Sequence, residues 1–74
     1  MAMKHYTIEY KMYSADEVHT TWVLANNKAD AHDVATYVRI PHKEGGIPYS
    51  AWVAGVTYQN GNYKRFNTFE GKPY

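Results

Sequence analysis

The sequence has no cysteine, and it is poor in Ile, Leu, Val and Phe, which together account for only twelve of its 74 residues. The lack of cysteine excludes disulfide bonds, thiolate metal ligands and a thiol nucleophile. A low content of these apolar residues is typical of disordered chains, but disorder also requires strong charge repulsion, and the net charge is only +1. Eight Tyr and two Trp residues supply the apolar surface instead. We therefore expect a folded domain with an aromatic core.

The sequence also lacks long apolar runs. No segment resembles the apolar core of a signal peptide or the roughly 20 residues of a membrane span. We therefore expect a cytoplasmic protein without membrane association. Residues 1–74 are predicted to form a single domain, and a domain of this size buries only about 60% of the surface that its unfolded chain exposes. Pairing with a copy of itself would supply the missing apolar burial, so a homodimer is expected.

Residues 5–25 have the alternating pattern of a β-hairpin. In the first strand, Tyr6, Ile8 and Tyr10 share one face. Trp22 in the second strand joins that face if the connecting loop has an odd length. An even loop points Trp22 away from it, because side chains alternate between the two faces of a strand.

The pattern after this hairpin predicts a helix over residues 28–39. Asn27 followed by Asp30 resembles a capping box, in which a side-chain oxygen accepts a hydrogen bond from a free backbone amide of the first turn. Apolar residues at helical spacing form one narrow stripe, which we expect to pack on a sheet. The members of this stripe are Ala31, Val34, Ala35 and Val38.

Residues 41–49 contain two prolines and two adjacent glycines and are predicted to form a mobile loop. Pro41 disfavours helical geometry at the preceding residue, so the helix is expected to end near Ile40, which is then free to turn inward. A loop of this kind is also a plausible hinge for exchanging the second hairpin between two copies.

Residues 50–69 are predicted to form a second hairpin. Asn60-Gly61 is the preferred pair for a two-residue type I′ turn. That turn would set Tyr58 opposite Tyr63 and place Trp52 on their face. Residues 70–74 are predicted to be a loose tail. The predicted fold is therefore α+β in the order β-β-α-β-β, an antiparallel sheet of two hairpins with one helix packed on a face.

In length and in its content of Tyr, Asn and Lys, the chain resembles small proteins carried by phages and mobile genetic elements. This resemblance is compositional and implies no role for any residue.

Histidine is the first residue type that would indicate metal binding. The spacings between His5, His19, His32 and His42 match neither a helical nor a strand-spaced metal motif. If the first hairpin brings His5 and His19 to one face, Glu9 could complete a weak site, but the spacing does not require one. We expect no metal and no other cofactor.

Candidate catalytic groups are few. They are two serines and two carboxylate pairs, namely Ser14, Ser50, Asp16 with Glu17, and Asp30 with Asp33. Neither serine lies in a nucleophile-elbow glycine frame. One carboxylate pair falls in a turn, and the other falls in the first turns of the helix, where acids complement the dipole. We expect the protein not to be an enzyme.

The surplus of aromatic residues indicates binding instead. A helix of twelve residues is roughly 18 Å long and covers one face of a four-stranded sheet, which leaves aromatic side chains on the other face for a partner. We therefore predict a non-catalytic binding or regulatory module that is homodimeric and recognises another protein. The candidate interaction surface consists of Trp52, Tyr58, Tyr63, Lys64, Arg65 and Phe66.

The alternative is single-stranded nucleic-acid binding by the last hairpin. Tyr63, Lys64 and Phe66 combine aromatic and cationic side chains, as such proteins do. Two features argue against it. The net charge of +1 supplies little phosphate affinity, and strand alternation places Lys64 and Arg65 on opposite faces.

Overall fold

The computed structural model describes residues 3–14, 16–70 and 72–73. Strands β1 (Lys4–Lys11) and β2 (His19–Ala25) precede a helix, and β3 (Ser50–Thr57) and β4 (Tyr63–Arg65) follow it. The four strands form one antiparallel sheet in the order β2-β1-β3-β4. The predicted α+β fold of two hairpins and one helix is confirmed.

The core lies between the helix and one face of the sheet, which we call the inner face. Tyr10, Ile8 and Ile40 are its largest fully buried side chains. Tyr6 is buried beside them, so the predicted apolar face of β1 is confirmed. Among the described residues, the buried hydrophobic cluster consists of Tyr6, Ile8, Tyr10, Val23, Ala25, Ala31, Ala35, Ile40 and Val56.

The register of the first hairpin decides which way β2 faces. Tyr10 pairs with His19, so residues 11–18 connect the two, which is an even number. The even-loop alternative therefore holds, and Trp22 and Leu24 point away from the core. We call the face on which they lie the outer face.

The helix begins as predicted. The side-chain oxygen of Asn27 accepts a hydrogen bond from the amide of Asp30 at 2.9 Å, which satisfies a backbone donor of the first turn. The helix then consists of an α-helical segment (Lys28–Val34), a π-helical turn (Ala35–Arg39) and a second α-helical segment (Ile40–Glu44).

The prediction that the helix ends near Ile40 is wrong. Pro41 has no amide hydrogen, and in an α-helix its ring would crowd the carbonyl four residues earlier. The π turn widens the helix just before it, since the amide of Ile40 bonds to the carbonyl of Ala35. The extra residue in this turn rotates the residues that follow, so Ile40 is buried and Val38 is exposed. The predicted stripe is right at its two alanines, which are buried, and wrong at its two valines, which are exposed; Val34 is exposed already before the turn.

The helix ends at Gly45, whose φ of 82° is left-handed. The loop predicted over residues 41–49 is therefore only residues 45–49. Ile40 does turn inward, as predicted, although it does so from within the helix. In the described part of the chain, no helix is long and apolar enough to cross a membrane.

The second hairpin has a three-residue loop. The amide of Tyr58 donates to the carbonyl of Asn62 at 2.8 Å, and the amide of Gly61 donates to the carbonyl of Tyr58 at 2.9 Å. Gly61 has a φ of 89°, which is the left-handed residue that such loops require. The predicted two-residue turn is therefore wrong by one residue. Tyr63 pairs with Thr57, so Tyr58 and Tyr63 lie on opposite faces.

A β-bulge in β3 changes the face of a second aromatic residue. Ala54 has no partner in the pairing of β3 with β1, and the register shifts there. The shift sets Trp52 opposite Glu9 on the outer face, whereas Val56 lies opposite Tyr6 on the inner face. Trp52 and Val56 therefore lie on opposite faces, although an uninterrupted strand would place residues four apart on one face.

The segment after β4 is ordered into a small hairpin. β5 (Thr68–Phe69) pairs with β6 (Lys72–Pro73), where a loose tail over residues 70–74 was expected. Gly71 and Tyr74 of that tail lie outside the described residues.

Candidate interaction surface

The outer face of the sheet is not covered by the helix, and it carries three exposed apolar side chains. Trp22 and Leu24 of β2 are 48% and 47% exposed, and Tyr63 of β4 is 50% exposed. Strand pairing places the following residues on this face: His5, Thr7, Glu9, Lys11, Thr20, Trp22, Leu24, Trp52, Gly55, Thr57, Tyr63 and Arg65.

Trp22 is held from two sides. The ring of His5, on the neighbouring strand, lies 4.8 Å from the indole between ring centroids. Arg39 of the helix places its guanidinium carbon 5.0 Å from the Trp22 ring and donates to the hydroxyl of Thr21 at 3.4 Å. These contacts fix the orientation of the indole while about half of its surface stays exposed.

Gly55 leaves room for the ring of Tyr63. A Cβ atom on Gly55 would lie 2.6 Å from Cζ of Tyr63 and 2.9 Å from the carbonyl oxygen of Lys64. The tyrosine ring therefore lies across the glycine, on the neighbouring strand, and only glycine leaves room for it there.

Trp52 belongs to a polar cluster rather than to the exposed surface. Its indole N–H donates to Oε1 of Glu9 at 2.9 Å. Arg65 reaches both oxygens of the same carboxylate, at 3.3 and 3.4 Å. Trp52 is only 3% exposed, so it contributes little to the exposed surface of this face.

The structure divides the six residues of the predicted surface between two faces. Tyr58, Lys64 and Phe66 belong to the helix side, where Phe66 packs against the core. The ammonium of Lys28 lies 3.8 Å above the Phe66 ring, so that ring is covered. The prediction that Lys64 and Arg65 lie on opposite faces is confirmed, because they pair with adjacent residues of β3.

Tyr63 is thus the one predicted residue that forms part of the exposed apolar surface. Sequence reasoning missed Trp22 and Leu24, which accompany it there. The alternation of β2 contains the signal for both, since the even-loop alternative places them on the outer face.

The conditional metal site does not form. His5 lies on the outer face, whereas His19 pairs with Tyr10 and lies on the inner face. Within residues 3–14, 16–70 and 72–73, no three His, Asp or Glu side chains come together in a group that could hold a metal ion.

One buried tyrosine has a strongly altered acidity. The hydroxyl of Tyr10 donates to the carboxylate of Glu44 at the end of the helix. Burial, together with this hydrogen bond and the negative charge of the carboxylate, raises the pKa of Tyr10 to about 12. The hydroxyl therefore keeps its proton to higher pH than an ordinary tyrosine does. It ties β1 to the helix C-terminus.

Comparisons of the chain with protein-family models, with curated proteins and with solved structures find no match. The feature of the molecule that bears on function is therefore the exposed apolar surface of the outer face.

Proposed function

We propose that the protein is a small non-catalytic binding module that acts as a homodimer and recognises another protein through the outer face of its sheet. The observation that carries this proposal is the exposure of Trp22, Leu24 and Tyr63 on the face that the helix leaves open. Trp and Tyr are the residue types that most often dominate the binding energy of protein interfaces.

The environment of these side chains supports recognition by a folded partner. The His5 ring and the Arg39 guanidinium pack against Trp22, and the Tyr63 ring lies across Gly55. Side chains that are already oriented lose little conformational entropy when a partner binds, so more of the contact energy appears as affinity.

Nucleic-acid binding by the last hairpin has weaker support. Tyr63 and Phe66 lie on opposite sides of the sheet, so they form no common stacking platform. Arg65 is paired with Glu9, and Lys11 contacts both Asp16 and Glu70. A fluorescence titration with labelled single-stranded oligonucleotides at several salt concentrations separates the two functions, because phosphate binding weakens steeply with salt.

The proposal is tested with the variant Trp22→Ser/Tyr63→Ser. The wild-type protein is used as bait in a lysate of its host, the captured protein is identified and purified, and its affinity is measured by calorimetry. The double variant should bind it at least about 30-fold more weakly, since loss of a dominant interface residue costs about 2 kcal/mol or more.

Tyr13→Ser is the matched control, because Tyr13 is an exposed tyrosine of the turn that follows β1. Its affinity should equal that of the wild type. Circular dichroism establishes that each variant is folded. Equal affinities for the wild type and the double variant would overturn the proposal.

A further inference from the structure

β2 forms an open edge of the sheet. It has seven residues, whereas β4, at the opposite edge, has three. A very short edge strand is protected against pairing with another chain, but a seven-residue edge is long enough to accept one.

The backbone of β2 shows which groups are available at this edge. The carbonyl of Thr20 accepts a hydrogen bond from the ammonium of Lys43, a side chain of the helix, at 3.3 Å. This carbonyl is therefore directed away from β1. Because carbonyls two residues apart point to the same side of a strand, those of Trp22 and Leu24 are directed to the open edge as well.

Exposed apolar side chains of the helix lie near this edge. Val34, Tyr37 and Val38 are all exposed, and the last two belong to the π turn. Val34 and Leu24 line the same cleft, so Val34 adjoins the strand. A partner that extends the sheet at β2 would also cover Val34.

Charges of opposite sign lie at the two ends of this edge. Asp30 and Asp33 line the cleft beside Leu24. At the other end, Lys43 contacts Thr20. Arg39 lies nearer the middle, beside Thr21 and the ring of Trp22. The edge thus has an acidic end at Asp30 and Asp33 and a basic end at Lys43.

Such an edge is complementary to itself. A twofold axis at Trp22 pairs β2 with a second β2 in the antiparallel direction and brings the acidic end of each copy to the basic end of the other. Lys43 contacts Thr20, and Asp33 lines the cleft beside Leu24. Thr20 and Leu24 lie about 7 Å on either side of Trp22 along the strand. The twofold axis would therefore bring Lys43 of one copy near Asp33 of the other.

We propose that the open edge of β2 is the homodimer interface, where a second copy of this chain joins to form one continuous eight-stranded sheet. This inference specifies how the homodimer in the proposed function assembles, and it leaves Tyr63, on the far strand β4, free for the other protein.

The test is the mass of the protein in solution, measured by sedimentation over a range of concentrations. Lys43→Glu and Asp33→Lys should each raise the dissociation constant of the dimer about tenfold or more, because each places like charges together at two symmetric points. The variant Lys43→Glu/Asp33→Lys should restore dimerisation, because it exchanges the two charges. Lys64→Glu is the control for a charge change on an exposed residue of β4 and should leave the dimer unchanged.

Three results would overturn the inference. The first is a wild-type protein that stays monomeric, and the second is a dimer that neither single variant weakens. The third is stronger association of Lys43→Glu than of the wild type, which would mean that Lys43 prevents strand pairing at this edge. The outer-face proposal fails separately, since Tyr63→Ser should leave the dimer mass unchanged while it weakens capture of the other protein.

Discussion

The amide of Ile40 donates to the carbonyl of Ala35, five residues earlier in the chain, and this bond widens the helix just before Pro41. As a result Ile40 is fully buried, at 0% exposure, whereas Val38 is 63% exposed. The π turn thus decides which aliphatic side chain of the helix stabilises the core.

Replacement of these two residues should have unequal effects on stability. Ile40→Ala should lower the free energy of unfolding by about 2–5 kcal/mol, because it leaves a cavity in the core. Val38→Ala should change it by less than about 0.5 kcal/mol, as is usual at an exposed position. Urea denaturation at one low protein concentration measures both. Equal losses would contradict the burial of Ile40 and the exposure of Val38.

Gly55→Ala should destabilise the sheet by about 1–3 kcal/mol, because the added methyl group would overlap the ring of Tyr63. In a Tyr63→Ala background the same change should cost less, since only the clash with the Lys64 carbonyl remains. Gly46→Ala is the control, because a Cβ atom there meets nothing within 4 Å. A cost of Gly55→Ala that is the same in both backgrounds would show that the ring does not lie across the glycine.

Glu9→Ala should lower the free energy of unfolding by about 1–3 kcal/mol, because it leaves the buried indole N–H of Trp52 without its acceptor. Glu9→Gln retains an acceptor oxygen and should cost less. Arg65→Ala should cost less than about 1 kcal/mol, since its ion pair with Glu9 is partly exposed. Thermal denaturation ranks the three variants. Equal losses for the Ala and Gln variants would contradict a role for the hydrogen bond to Trp52.

The pKa of Tyr10 predicts a loss of stability in alkali. It is about 12 in the folded protein, against 10.0 for an ordinary tyrosine, so the unfolded chain loses this proton at lower pH than the folded one. The stabilisation is fully present below pH 10 and declines as the pH rises from about 10 to about 12.

Urea denaturation at pH 8.5 and pH 11 measures this decline, and the variant Tyr10→Phe serves as the reference that lacks the titrating hydroxyl. The wild type should lose more stability between the two pH values than the variant does. Because the chain has eight tyrosines, the difference between the two proteins isolates Tyr10. Identical losses would contradict its altered acidity.

Several features of this fold follow from local patterns in the sequence. The alternation of β1 identified Tyr6 and Tyr10 as core residues, Asn27 marked the start of the helix, and Asn60-Gly61 marked the second turn. These features are short-range, since each follows from the side-chain period of a strand or from the hydrogen-bonding needs of a few neighbouring residues. They were sufficient for the α+β fold.

Which side chains reach the outer face depends instead on contacts between distant parts of the chain. An even connection turned Trp22 outward, a three-residue loop separated Tyr58 from Tyr63, and the bulge at Ala54 moved Trp52 beside Glu9. Each of these is a change of a single residue. Such a change reverses the facing of every following side chain in a strand, and the packing of the whole sheet selects it. The location of the candidate surface therefore depends on long-range packing, which local sequence patterns do not contain.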